Sequence, residues 1–396
     1  MADGPTAAST TPFLWGAATA AHQIEGSNLA SDYWHSEHAP SSPQREPSGD
    51  ACDSYHRYPQ DMALLAEAGL NSYRFSVEWA RIEPERGEIS RAQLDHYRRM
   101  IDTCRGTGLI PMVTLYHFSA PAWFTAEGGW AGPRALDHFS RYLEAVTPLV
   151  ADLDWVCTIN EPNMVAVTGW STTDGVLRSR PLPVPDLRLT DGLVAGHRRA
   201  VEMVRALGRP LAGWSVAAQV VQAVDGADEV AAAHARPRET VFYEAARDDD
   251  FVGVQAYTRS RVGLTGPIGP PADAELTSIG WEYYPAAIGE ALRTAWAVTG
   301  GVPLVVTENG ISTADDARRI DYLSGALDSV ADAMADGVDV RGYLAWSALD
   351  NYEWGSFDPT FGLIAVDRQT FERRPKPSLA WLGAVARGGV VRTPSR

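Results

Sequence analysis

The chain has 396 residues with 34 Lys and Arg against 50 Asp and Glu, and the resulting formal charge of −16 disfavours nucleic acid and anionic membrane surfaces as partners. Apolar residues make up 45% of it and charged residues 21%, the balance of a globular protein with ample material for a core. The opening MADGPTAASTTPFLWG lacks the basic and apolar pattern of an export signal, and no run of about eighteen apolar residues occurs, so a cytoplasmic protein with no membrane partner is expected.

Short runs rich in apolar and β-branched residues alternate with longer stretches of helical period. Strands are predicted to begin near Phe13 (FLWGAAT), Ser72 (SYRFSV), Ile110 (IPMVTLY), Trp155 (WVCTIN), Leu211 (LAGWSVA), Phe251 (FVGVQAY), Leu304 (LVVTE) and Val340 (VRGYLAW). Between them, Leu94, Tyr97, Ile101 and Cys104 form an apolar stripe on one helix. Phe139, Tyr142, Leu143, Val146, Leu149 and Val150 form a second stripe, and Leu323, Leu327, Val330 and Met334 a third. Near-continuous apolar strands, each followed by an amphipathic segment, need cover on both sheet faces. The expected fold is one α/β domain over 1–396, a (β/α)8 TIM barrel with its site at the C-terminal ends of the strands, and with 1–12 and 388–396 as peripheral tails. A doubly wound open sheet is the alternative, but it gives no reason for polar residues to cluster at nearly every strand end. Residues 36–50, 171–190 and 262–278 are rich in Pro, Gly and polar residues and are expected to be loops leaving that barrel.

Cys52, Cys104 and Cys157 are odd in number and widely spaced, which suits buried thiols better than disulfides or a metal site. His22, His56, His96 and His138 are expected to be structural, because an isolated His at a helical position is seldom a ligand. Asp50, Asp53 and Asp61 alternate with aromatics and lack a compact oxygen-ligand loop, so capping is expected there and no metal. The 13 tryptophans are more informative as groups than singly: Trp123 lies near Trp130, and Trp346 near Trp354. An indole fills a core, but it also stacks on the C–H face of a sugar and donates one hydrogen bond.

Two signatures end two of the strands: Thr158-Ile159-Asn160-Glu161-Pro162 after the fourth and Val306-Thr307-Glu308-Asn309-Gly310 after the seventh. Each alone is a common turn. Together they set two carboxylates at one barrel face, the minimum equipment for cleaving a glycosidic bond. A nucleophilic carboxylate must stay ionised, and Arg74 and Tyr257, on the second and sixth strands, are placed to support one. An acid must keep its proton, which the neighbouring negative charge favours.

These residues belong to blocks that together resemble glycoside hydrolase family 1, the β-glucosidase family: FLWGAATAAHQIEG, GDACDSYHRYPQDMALLAEAGLNSYRFSVEW, TLYHF, TINEP, GWEYYP, VVTENG and GYLAWSALDNYEW. The resemblance runs from Phe13 to about Trp381. It implies a (β/α)8 barrel that hydrolyses β-glycosides with retention, with Glu161 as general acid/base and Glu308 as nucleophile. It further implies Gln23, His117, Asn160 and Glu353 as partners of the sugar hydroxyls, Trp346 as a stacking platform, Trp354 as a further donor, and Arg74 and Tyr257 as contacts of the nucleophile. Glu353, where members acting on 6-phosphorylated sugars carry a small hydroxyl residue, implies an unphosphorylated hexose. Glu161, where thioglucosidases carry glutamine, implies an O-glycosidase.

Three positions depart from the family pattern. Phe118 stands where many members have Trp, Gln255 where Asn is usual, and Ala256 replaces the first of two tyrosines. The chain is also short between strands five and six, where only Ala217 to Asp250 intervene, and this implies a wide entrance able to admit a bulky aglycone such as a glycosylated natural product. The expected partner is a small-molecule β-glycoside. No cofactor is expected, since WSALDNYEW follows strand eight in place of a phosphate loop and no nucleotide or zinc motif occurs. A transglycosidase using the same glutamates and a catalytically silent sugar-binding barrel are the alternatives at this level, and nothing in the sequence sets an oligomeric state.

Overall fold

The computed structural model describes residues 12–42, 44–167, 182–389 and 391. Eight parallel strands close into a barrel: β1 (Leu14–Ala18), β2 (Ser72–Ser76), β3 (Ile110–Tyr116), β4 (Trp155–Asn160), β5 (Leu211–Ala217), β6 (Val252–Gln255), β7 (Leu304–Glu308) and β8 (Val340–Trp346). Each pairs with its sequence neighbours, and β8 returns to β1 with Ala18 opposite Trp346. The expected closed parallel sheet is therefore present, and the open-sheet alternative is excluded. Six strands start where the sequence places them. The other two start one residue later, because Phe13 and Phe251 pack as side chains without joining the ladder.

The helical stripes fall on α1 (Arg91–Gly106), α2 (Ala135–Val150) and α3 (Asp316–Ala335). Ser90 caps the first through the amide of Gln93, and Asp315 caps the third through the amides of Ala317 and Arg318. Their apolar faces pack on the outward side chains of the strands, giving a continuous shell that includes Tyr97, Phe139, Val146, Leu323 and Tyr343. The barrel interior holds a separate cluster with Leu14, Met112, Trp155, Phe251, Val305 and Leu344. Close strand approach requires a glycine at 253, where a Cβ would fall 2.3 Å from Ser215 Oγ and 2.7 Å from Thr307 Oγ1.

Two of the expected loops need correction. Residues 262–278 are loop only in part: Ser260–Gly263 and Gly266–Ile268 make a hairpin, and Val221–Ala223 pairs with its first strand to complete a three-stranded sheet, whereas 269–278 run as turns and irregular backbone as expected. Gly266, at φ 117°, makes the tight reversal possible, so the first glycines of the segment mark a turn between short strands. Of the expected loop 171–190, residues 171–181 lie outside the described residues, and its end is helical because Asp186 accepts from the amides of Arg188 and Leu189 to start Leu187–Arg205. The described residues of 36–50 do run largely as turns and bends.

The aspartates of the GDACDSYHRYPQD block are structural but do not cap. Asp53 precedes Ser54–Ala68 without a side-chain cap bond and pairs with His56 and Arg57 instead, while Asp61 makes a buried ion pair with Arg373 at 2.6 Å. The three cysteines are buried and free. Among the described residues, no helix is long and apolar enough to cross a membrane.

Candidate active site

Both glutamates stand at the C-terminal rim of the barrel. Glu308 is the last residue of β7, and the β7–β6 register slips between Val306 and Glu308. A bulge of this kind re-aims a side chain at a strand end. The β4–β5 register slips likewise, between Cys157 and Asn160, just before Glu161. Glu161 takes a left-handed conformation, φ 43° and ψ 60°, which costs energy for a residue with a Cβ. Its amide is held by Ser215 O at 2.7 Å, and Pro162 then opens a short helix.

Around Glu308 the hydrogen bonds form one connected web. Arg74, fully buried on β2, donates from Nη1 to Glu308 Oε1 at 2.7 Å and from Nη2 to Asn160 Oδ1 at 2.5 Å. Tyr257 donates to Glu308 Oε2 at 2.6 Å. Burial pushes the Glu308 carboxyl above its ordinary range, while the Arg74 charge and the bonds from Tyr257 and Arg74 pull it back. Burial and the charges of Glu308 and Glu161 keep the Tyr257 phenol far above its usual value, so it remains a donor. From behind, Tyr322 donates to Tyr257 O at 2.7 Å, and Asn309 links Tyr343 on β8 to Ala256 O.

The same web fixes a histidine tautomer. Asn160 Oδ1 accepts from both Arg74 and Gln255, the latter at 2.8 Å, so its Nδ2 faces His117 Nε2 at 3.1 Å as a donor. His117 is held neutral by burial and by the Arg74 charge, so its proton sits on Nδ1. Gln255, the last residue of β6, thus helps to orient the Asn160 amide.

The opposite wall comes from β8 and the segment after it. Trp346 Nε1 donates to Glu353 Oε1 at 3.1 Å, and Gln23 Nε2 reaches Tyr352 O at 2.8 Å and Glu353 Oε2 at 3.3 Å. Burial pushes the Glu353 carboxyl up to about 8, against these hydrogen bonds and with help from the negative charge of Glu308. The His117 ring lies near-parallel to Trp346 and Trp354, at 6.1 and 6.2 Å between centroids, and Phe118 packs on Trp354 at 4.9 Å.

The web and the wall border one cleft of about 910 Å³, its open mouth included. Gln23, His117, Phe118, Asn160, Glu161, Tyr257, Glu308, Trp346, Glu353 and Trp354 line it, and Arg74 sits directly behind Glu308. Trp123 and Trp130 do not join them and pack among the outer helices. Sequence reasoning assigned no role to the outer part of the cleft, formed by Met164, Leu182, Ala217, Ile279, Trp281, Pro359 and Phe361. Trp281 belongs to the GWEYYP block, so its motif was visible. The others are ordinary apolar residues whose convergence only the fold reveals. No group of three or more His, Cys, Asp or Glu among the described residues is arranged to hold a metal ion.

Comparison with known proteins places the chain in a family. β-Glucosidase A of Thermotoga maritima is 31% identical, covering 95% of this chain and 97% of its own. The β-glucosidase of Agrobacterium sp. is also 31% identical, covering 98% of both. Among solved structures, β-glycosidase BGL167 superposes with a TM-score of 0.88 at 43% identity over 97% of this chain and 98% of its own. The T. maritima β-glucosidase, solved with glucoimidazole and with galacto-hydroximolactam, gives TM-scores of 0.87 and 0.86 at 28% identity, covering 96% of this chain and 98% of its own. The profile of glycosyl hydrolase family 1 matches residues 7–186 and 248–389, leaving unmatched a stretch that contains most of the shortened interval between β5 and β6. The chain belongs to glycosyl hydrolase family 1 and is a glycoside hydrolase.

Proposed function

We propose that the protein is a retaining β-glycosidase that releases a terminal nonreducing glucosyl or closely related residue by double displacement. Glu308 attacks the anomeric carbon while Glu161 gives its proton to the departing glycosidic oxygen, leaving a glycosyl ester on Glu308. Water, deprotonated by Glu161, then attacks the same carbon from the opposite side, and the Glu308 carboxylate leaves. The observation that carries this reading is the pairing of unlike carboxylates in one cleft. Glu308 is held by a cation and a phenol, and Glu161 lines the same cleft, close enough for its charge to act on that phenol.

Hydrogen-bonding capacity in the inner cleft supports a polyhydroxylated ligand. Gln23 Oε1, His117 Nδ1 and Gln255 Oε1 are buried polar atoms without a partner, and all belong to residues lining the cleft. The gluco- and galacto-configured ligands named for the T. maritima complexes support a hexose there. The apolar outer cleft supports a large, flat aglycone, for which Trp281 and Phe361 offer ring faces.

Incubation with a 2-deoxy-2-fluoro-β-glucoside carrying a good leaving group, followed by peptide mass spectrometry, tests the mechanism. A sugar adduct on the Glu308 peptide and a β-anomer as first product are expected. An α-anomer as first product would overturn double displacement. Good turnover of cellobiose with rejection of polycyclic aryl glycosides would overturn the aglycone reading.

A further inference from the structure

We propose that His22, clamped by Glu37 and Asn28 behind the cleft wall, is a positioning residue that sets the plane of Trp354 and through it the affinity for the sugar. This rests on the glycosidase reading of the site. His22 follows β1 in the short helix Ala21–Ile24 and is 1% exposed. Its ring lies 5.6 Å from that of Trp354 at an interplanar angle of 5°, more nearly parallel than the contacts of that indole with Tyr33, His117 and Phe118. Trp354 lines the cleft, whereas His22 does not.

The imidazole cannot turn. Asn28 Nδ2 lies 3.0 Å from His22 Nδ1, which makes that nitrogen the acceptor and puts the proton on Nε2, 2.8 Å from Glu37 Oε1. Glu37 is fixed in turn, its Oε2 accepting from the amide and hydroxyl of Ser48 at 3.0 and 2.6 Å. Burial alone would push the Glu37 carboxyl up, but the bonds from His22 and Ser48 hold it below its usual range, so the clamp keeps a carboxylate as acceptor. The second dihedral of a histidine is otherwise soft. Hydrogen bonds at both ring nitrogens define its plane.

Trp354 needs such a support. Its backbone is left-handed, at φ 48°, a conformation that persists only where the surroundings impose it. The neighbouring Gln23 already holds Tyr352 and Glu353 by hydrogen bonds, so consecutive residues of one turn grip consecutive parts of the wall. Gln23 acts on the carboxylate side and His22 on the indole side.

A double-mutant cycle on an aryl β-glucoside tests this role, with rates normalised to active enzyme by fluoro-sugar titration. His22→Gln retains a donor for Glu37 but removes the flat ring. It is expected to raise KM by about three- to tenfold with kcat within about twofold, the size of one lost ring contact. In a Trp354→Phe background the same substitution should have little further effect. An equal effect in both backgrounds, or a fall in kcat at constant KM, overturns the proposal. If His22→Gln does not accumulate folded, Glu37→Asp, which withdraws the anchor by one methylene, takes its place in the cycle with the same expectation. Absence of any wild-type turnover would overturn the reading of the site and this role with it, whereas wild-type turnover with an uncoupled cycle overturns the role alone.

Discussion

Replacing Glu353 by glutamine should make the protein more stable at pH 8 relative to wild type than it is at pH 5. The folded carboxyl titrates at about 8, raised chiefly by burial from an ordinary 4.5, so the folded state holds a proton that the unfolded chain releases across that interval. Stability from this group is complete below about pH 4.5 and is lost as pH rises through 8. Integrated between pH 5 and 8, the loss is roughly 3 kcal/mol, and it disappears in the glutamine variant. The substitution also carries a constant cost of about 1 kcal/mol, because the new amide group faces a donor, either Trp346 Nε1 or Gln23 Nε2. That cost cancels in the comparison of two pH values. Urea unfolding of both proteins at pH 5 and pH 8 measures the difference directly. A shift below about 1 kcal/mol, or one of opposite sign, would refute the assignment of a proton to Glu353 at neutral pH.

Tyr257→Phe removes a bond that favours the ionised Glu308, so the acid limb of the kcat/KM profile should move up by about one pH unit; an unmoved limb would separate that phenol from the nucleophile. Glu161→Ala should slow substrates with poor leaving groups far more than activated ones, and azide should restore turnover with formation of a β-glycosyl azide. Failure of azide rescue on an activated substrate would count against the acid/base role. Asp61→Ala leaves buried Arg373 without its carboxylate and should cost about 3 to 5 kcal/mol in denaturant unfolding while leaving KM unchanged in the folded fraction.

The barrel was legible because its strands are buried on both faces and so read as continuous apolar runs between helical stripes. The rim was legible because chemistry concentrates unusual residues at strand ends, as at Asn160-Glu161 and Glu308-Asn309. Where local composition and fold disagree, the sequence misled. Gly263, Gly266 and Pro267, at the start of an expected loop, belong to a hairpin, and Asp61 finds an arginine from the far end of the chain where a cap was expected. His22 is structural as expected, buried with both ring nitrogens bonded, but nothing in the sequence pointed to its stacking on Trp354, which lies far along the chain. The depth of Arg74 was likewise hidden. A contact with the nucleophile was expected, but its second bond to Asn160, which fixes the tautomer of His117, depends on the relative stagger of β2 and β4.

The polar web has a mechanical side. Arg74 joins β2 to β4 and β7, Asn160 ties β4 to His117 just beyond β3 and to Gln255 on β6, and Tyr257 laces the end of β6 to β7. The groups that would perform the reaction are thus also a hoop around the open end of the staves. Heat that slackens the hoop must loosen the grip on Glu308 in the same stroke, so the open end of the barrel and the seating of that carboxylate are lost together.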